Sequence, residues 1–325
     1  MTKTTIIIPN YNGAVFLKNC LNSIYQDTVD AEVLVVDNAS SDESREVLLA
    51  YPQVTVISLP ENLGFSAAVN LGIRRSETEY VLLLNNDTVL EKGFLEAMEA
   101  VMDQNPKLFS GSSQMRSMSE PDIIDNAGDF YCALGWAFGL GKGRRVSRKY
   151  SVERMIFSSC AGAAIYRRKL FSAIGYFDEL HFAYLEDIDI GYRARILGYQ
   201  NRYIPKAIVY HAGSASSGSK YNEFKVKLSS RNSVYLILKN MPFLQILINL
   251  PFLIPGFAIK AIFFSLKGMG KIYLKGLWTG VCLYYQKGRK KHIAFQIHHM
   301  KYYIRIQLEL WYNMIRKAQD SIFRV

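Results

Sequence analysis

Cysteine is scarce. Cys20, Cys132, Cys160 and Cys282 are the four in 325 residues, and no two stand at a metal-type or paired spacing. That excludes a disulfide-stapled scaffold and a zinc module, and predicts reduced thiols in a cytosolic setting. Low-complexity tracts and internal repeats are lacking too, so no segment is expected to be disordered by composition. A leader-like apolar run is missing near the start: Ile6-Ile7-Ile8 is too short for the core of a signal peptide, and Pro9 ends it. Acidic residues are nearly absent from one stretch. Residues 220–325 hold 18 Lys and Arg against 3 Asp and Glu, a net of +15, which leaves −4 for the first 219. Such a split predicts two functional zones, 1–219 and a basic region 220–325.

What is present is a chain half hydrophobic, long enough for one large domain or for a catalytic domain with an appendage. Apolar runs at 4–8, 32–36, 54–58 and 80–84 read as buried strands. Leu17, Leu21 and Ile24 stand at helical spacing within 14–25, Ser41 is a candidate cap for a helix over 44–50, and 65–75 reads as helical. Strands alternating with helices imply an α/β fold with a mostly parallel sheet. Ligands of such sheets bind beyond the carboxyl ends of the strands, where Asp37 and Asn85-Asn86-Asp87 fall. Residues 110–155, rich in Gly, Ser and Arg, are expected to form a mobile loop near an acceptor site. A helix over 185–197 and a strand over 202–210, ending at His211, follow.

A nucleotide sugar carries a diphosphate whose charge must be neutralised as it leaves, and a divalent cation held by carboxylates does this. Asp87 and His211, each ending a strand, are candidate ligands for Mg²⁺ or Mn²⁺. The acceptor hydroxyl must lose a proton, and a carboxylate in reach takes it. The run Glu186-Asp187-Ile188-Asp189 sets three acids at a helix start, where the helix dipole is expected to keep them ionised.

These pieces in order resemble the inverting family 2 glycosyltransferases, and particularly their bacterial rhamnosyltransferase-like branch. They are Ile8-Pro9-Asn10-Tyr11-Asn12, Val35-Val36-Asp37-Asn38-Ala39-Ser40, Glu61-Asn62-Leu63-Gly64-Phe65, Asn70-Leu71-Gly72, Leu84-Asn85-Asn86-Asp87, Phe177-Asp178-Glu179, Glu186-Asp187 and His211-Ala212-Gly213-Ser214. They span residues 5 to about 215. The resemblance implies a GT-A fold, a Rossmann-like mixed, mostly parallel sheet flanked by helices. It implies that Asp87 binds metal, with Asn85 standing where the family's metal motif has its first Asp, and that His211 is a late metal or diphosphate contact. Asp37 would bond the nucleotide base, with Pro9, Asn10 and Tyr11 as its wall, Asn62, Gly64 and Asn70 on the nucleoside side, and Asn85 and Asn86 beside the donor. Asp187 matches the general base, with Glu186 as its neighbour. The branch implies L-rhamnose from dTDP-L-rhamnose as donor, with a UDP-hexose or UDP-galactofuranose as the alternative, and a lipid-linked glycan of a surface polysaccharide as acceptor.

Residues 240–259 carry no charge but include Pro242, Pro251 and Pro255, which argue against one straight spanning helix. Beyond them, Lys260, Lys267, Lys271 and Lys275 punctuate large apolar residues in the manner of an interfacial helix, and Lys287-Gly288-Arg289-Lys290-Lys291 suits anionic lipid. The region is therefore expected to be helical and to hold the protein peripherally on an anionic membrane surface, at the cytoplasmic face. Two readings of another class remain: a nucleotide-sugar-binding regulator without catalysis, which would not need Asp187, and a nucleic-acid-binding protein using the basic region. No RNA-binding signature accompanies the latter, so no nucleic-acid partner is expected.

Overall fold

A computed structural model describes residues 2–26, 30–213 and 221–322; Ser214 and the expected boundary at 219/220 lie outside them. The first half is a run of β1 (Thr4–Asn10), α1 (Ala14–Gln26), β2 (Ala31–Asp37), α2 (Ser44–Leu49), β3 (Thr55–Ser58), α3 (Phe65–Arg75) and β4 (Tyr80–Leu84). The four strands pair in parallel in the order β3-β2-β1-β4. Alternation along β1 explains the layers. Ile6 and Ile8 pack with Leu17, Leu21 and Ile24 of α1 on one face, and Ile7 packs with Val69 and Ile73 of α3 on the other. A buried side chain of this size contributes about 1.5–3 kcal/mol, so a strand buried on both faces is strongly fixed.

The expected mobile loop over 110–155 is instead built from strands. After β5 (Thr88–Leu90) and α4 (Phe94–Gln104) come β6 (Leu108–Ser117), β7 (Ile123–Asn126), β8 (Asp129–Cys132), β9 (Trp136–Gly139), β10 (Arg144–Arg145) and β11 (Arg154–Ile156). β6 lies inside the sheet, and its Ser110, Ser112, Ser113 and Gln114 are buried. Ser110 is bonded to Ser159 and Asn201, Ser113 donates to the Ala163 carbonyl, and Gln114 donates to Tyr203. Small polar residues whose hydrogen bonds are met inside the protein look like loop residues in sequence and behave like core.

β12 (Ala163–Arg167) joins β4 antiparallel, so the sheet is mixed: parallel across its N-terminal half and largely antiparallel beyond. After α5 (Phe171–Ile174) and α6 (Glu186–Ile196), β13 (Gln200–His211) runs beside β6 and β5. Ser41 does not cap α2. It bonds the Asn12 side chain, while Asp42 accepts from the Ser44 N–H.

The basic region is helical as expected: α7 (Glu223–Asn240), α8 (Phe243–Leu266), α9 (Gly270–Leu283) and α10 (Met300–Ile322). Pro251 and Pro255 sit inside α8 without ending it. They are one turn apart, so their missing donors fall on one face. Among the described residues α8 is the one helix long and apolar enough to cross a membrane, and 17% of its most apolar stretch is buried. α7 is no appendage: Tyr235, Lys239 and Asn240 are buried and bonded to Asp178 and Asp189. α10 crosses β8, with Asn313 donating to the Tyr131 carbonyl.

Candidate active site

Three loops at the carboxyl ends of the parallel strands are laced together by amides. Asn10 donates to Asp37 (2.9 Å) and Ser40 (3.1 Å), and Asn86 donates to Asn10 (2.7 Å). Asn38 donates to Asn62 (2.9 Å), whose oxygen also accepts the Gly64 N–H. Gly13 lies so close to Asn86 that a Cβ would sit 1.9 Å from its amide nitrogen. Gly64 has φ +84°, and a Cβ there would strike the Phe182 ring. Both positions therefore need glycine.

Asp37 and Ser40 open onto a cleft of about 630 Å³ lined also by Arg45, Val56 and Ser58. That is the size of a pocket for a nucleoside-sized ligand, about 300–1,000 Å³. Pro9 and Tyr11 stand at the end of β1, with Tyr11 51% exposed. Asn70 lies elsewhere: it is buried, and its amide is spent on the Phe177 main chain and Glu179. Asn85 sits against Gly162, its N–H donating to that carbonyl. Arg45, on α2, escapes sequence reasoning because a lone arginine on a short helix carries no pattern.

Asp87 and His211 do meet. His211 Nε2 is 3.3 Å from an Asp87 oxygen, and its Nδ1 is 2.8 Å from Asp125. Burial opposes a charge on His211, but Asp125 and Asp87 outweigh it and raise its pKa to about 9. A carboxylate and an imidazole side by side, the latter oriented from behind by a second carboxylate, is a donor set that fits a divalent cation.

Asp187 stands at the start of α6, partly buried, with Glu186 buried beside it. Asp129 on β8 was not singled out from the sequence, yet it faces Asp187. A carboxylate oxygen of each and the Cys160 sulfur all lie within 4.8 Å of one another. Asn126 fixes Asp129 by a 2.7 Å bond. Burial, then Asp129 and Asp189, lift the Glu186 carboxyl to about 7. Burial, then Asp129 and Glu186, push Asp187 well above the usual carboxylate range. The expectation that the helix dipole keeps all three acids of this run ionised is thus corrected: a dipole effect of about 0.3–1 kcal/mol does not offset burial among like charges. Burial, then Asp129 and Asp187, raise the Cys160 thiol well above its ordinary range.

Asp189 is the ionised acid of the run, and its place is structural. It is fully buried, bonded by Arg193 (2.8 Å), Lys239 (2.9 Å) and Asn240 (2.8 Å). Burial alone would raise it, but Arg193 and Lys239 hold it well below the ordinary range. Lys239 also bonds Asp178 (2.8 Å), which Lys291 and Tyr235 reach as well.

The loop before α6 is held by α7. Asn232 donates to the carbonyls of His181 (3.0 Å), Ala183 (2.9 Å) and Tyr184 (2.7 Å), and Arg231 to Leu180 (2.9 Å) and His181 (2.7 Å). Phe182, Tyr184 and Leu185 have φ of 63°, 70° and 68°, left-handed values that favour glycine. The five-residue stretch Asp125-Asn126-Ala127-Gly128-Asp129 joins the two halves of the site, with His211 at one end and Asp187 at the other.

Comparison with known proteins bears on the family and the fold. The model of the family described as Glycosyl transferase family 2 matches residues 5–175. An N-acetylglucosaminyl-diphospho-decaprenol L-rhamnosyltransferase of Mycobacterium tuberculosis is 25% identical over 240 residues, covering 66% of this chain and 77% of the relative. The structure of S. aureus TarS 1-349 in complex with UDP-GlcNAc is similar with a TM-score of 0.59 at 21% identity, covering 86% of this chain and 81% of that one. A mannosyltransferase of Pyrobaculum calidifontis in complex with GDP-Man and Mn²⁺ is similar at 0.52 and 17% identity, covering 99% and 87%. The last two bear on the fold alone.

Proposed function

Because this chain belongs to glycosyl transferase family 2, we propose that it transfers L-rhamnose from dTDP-L-rhamnose, with inversion, to a lipid-linked glycan of a surface polysaccharide. The observation that carries the chemistry is the Asp125–Asp129 stretch, which ties a cation-type pair, Asp87 and His211, to a carboxylate pair, Asp129 and Asp187. The choice of rhamnose and of a lipid-linked acceptor is supported by the likeness to the mycobacterial rhamnosyltransferase.

The acceptor oxygen bonds to C1 of the sugar from the face opposite the diphosphate. The C1–O bond to the phosphate breaks, and its electron pair leaves on the diphosphate. The hydroxyl proton passes to Asp187. Asp129, across from it, and Glu186, beside it, keep the Asp187 carboxylate basic enough to accept that proton near neutral pH, a form of help worth about 10²–10⁴-fold. Asp87 and His211 would hold Mg²⁺ or Mn²⁺, which neutralises charge on the leaving diphosphate. The cleft by Asp37 and Ser40 takes the nucleoside.

α8 to α10 place the protein peripherally on the cytoplasmic membrane face. The support is the apolar exposed side of α8, with Phe243, Leu244, Ile254 and Ile262 in water, and the excess of basic residues beyond 219. A screen of nucleotide sugars for donor hydrolysis and transfer tests the donor. Turnover of UDP-hexose or UDP-galactofuranose in preference to dTDP-L-rhamnose would overturn it. Asp187→Asn should abolish transfer and leave nucleotide binding intact, and near wild-type turnover would remove Asp187 from its role.

A further inference from the structure

A second cavity, also of about 630 Å³, lies between the first turns of α8 and the first half of α10. Its walls are apolar: Phe243, Leu244 and Ile248 from one helix, Ile304, Leu308 and Trp311 from the other. These side chains stay exposed, Trp311 by 36%. The Gln307 amide is closed off against Asn249 by two 2.8 Å bonds. Gln245 is different. It lines the same groove, is 7% exposed, and accepts from Tyr192 Oη at 2.7 Å. Its Nε2 is buried and has no hydrogen-bond partner among the described residues. A buried amide donor without an acceptor costs free energy that a ligand oxygen recovers.

We propose that this groove seats the hydrocarbon chain of the lipid-linked acceptor, with Gln245 donating to an oxygen of its phosphate-bearing end. This rests on the acceptor reading above. An amphiphile matches the groove's two characters, a long apolar trough and one unsatisfied donor. The volume is in the range of pockets that enclose a small ligand, about 300–1,000 Å³. The composition of this region favours an anionic lipid over a protein partner: 18 basic residues stand against 3 acidic ones beyond residue 219. The trough is also continuous with the exposed apolar side of α8, which suits hydrocarbon. Its position relative to the base fits as well. Tyr192, bonded to Gln245, lies five residues along α6 from Asp187, roughly 7.5 Å at 1.5 Å per residue.

The test uses the full chain and geranylgeranyl diphosphate as the probe, read by the fluorescence of Trp311. Saturable binding with a blue shift is expected, absent in Trp311→Phe. Ile304→Glu with Leu308→Glu, at exposed positions that do not hold the fold, should weaken it at least tenfold, and Gln245→Leu should weaken it less. Isopentenyl diphosphate, with the same head and a short chain, should not compete. Competition by the short compound, equal displacement by oleate, or unchanged binding in the double variant would overturn the proposal. No sugar donor enters this assay, so its outcome is separate from that of the transferase reading. If the enzyme transfers sugar to short and long acceptors with the same KM, the groove assignment falls and the transferase stands.

Discussion

Replacing Asn232 by Ala separates the holding of the base loop from the holding of the fold. The Asn232 amide feeds three carbonyls of residues 181–184. Its loss removes two N–H donors, about 1 kcal/mol each, and strands buried acceptors at a further cost of about 1–3 kcal/mol. The loop has something to return. Phe182, Tyr184 and Leu185 are all in the left-handed region, at about 1 kcal/mol or more each, so relaxing all three recovers about 3 kcal/mol. The two sums nearly cancel. Global stability should therefore change little, with Tm falling by less than about 4 °C, the scale of 1 kcal/mol in a domain of this class. Catalysis has no such compensation. Leu185 precedes Glu186 and Asp187, and a shift of about 1 Å at the base costs about 10²-fold in kcat. The assay is single-turnover transfer beside nucleotide affinity and a melting curve. A kcat close to wild type would refute the reasoning. So would a large loss of Tm, since it would make Asn232 a plain stability residue.

The remaining predictions concern protons, metal and membrane. Transfer should fall on the acid side as Asp187 takes up its proton, and Glu186→Gln should move that acid limb to lower pH by removing a negative neighbour of Asp187. A limb that stays in place would count against the coupling. Stability runs the other way: the folded pKa of Glu186 is raised, so its contribution is full below its ordinary 4.5 and is lost as pH rises through about 7. Chelation should stop transfer and Mg²⁺ or Mn²⁺ restore it, and Asp125→Asn, which unfastens His211, should weaken metal affinity about 10–100-fold. Activity that survives thorough chelation would exclude the cation. Lys287, Arg289 and Lys290 are exposed, and changing all three to Gln should cut partition onto anionic vesicles by about 3 kcal/mol, roughly 100-fold. Equal binding to neutral and anionic vesicles would show that charge does not drive it.

The parts of this protein that read correctly from sequence are those whose signal is local. Phe65–Arg75 and Tyr80–Leu84 have the expected bounds because a helical period and an apolar run each declare themselves within a dozen residues. The union of Asp87 with His211 was legible because Asp87 lies in the turn that follows β4 and His211 ends β13 of the same sheet. The strands over 108–156 were not, since Ser110, Ser113 and Gln114 are satisfied by Ser159, Ala163, Asn201 and Tyr203, partners far away in sequence. Asp189 looked like its neighbours Glu186 and Asp187 for the same reason. Lys239 and Asn240, about 50 residues on, join Arg193 to make it a buried ion anchor, and their approach carries no local signal. Asp129 hid in a stretch without a period, and α8 ran on through two prolines that a local rule would have ended.

The bond between Lys239 and the acids of the catalytic part has a consequence in time. The chain is made from its N-terminus at about 5–20 residues per second, so Asp178 and Asp189 emerge roughly 3–12 s before Lys239, the cation that bridges them. Until it arrives, Asp189 has Arg193 alone as its cation, and burying α6 to its final depth costs more than in the finished protein. The sheet and the cleft beside Asp37 can therefore form ahead of the seating of α6, which is completed only when α7 brings Lys239 and Asn240 to Asp189.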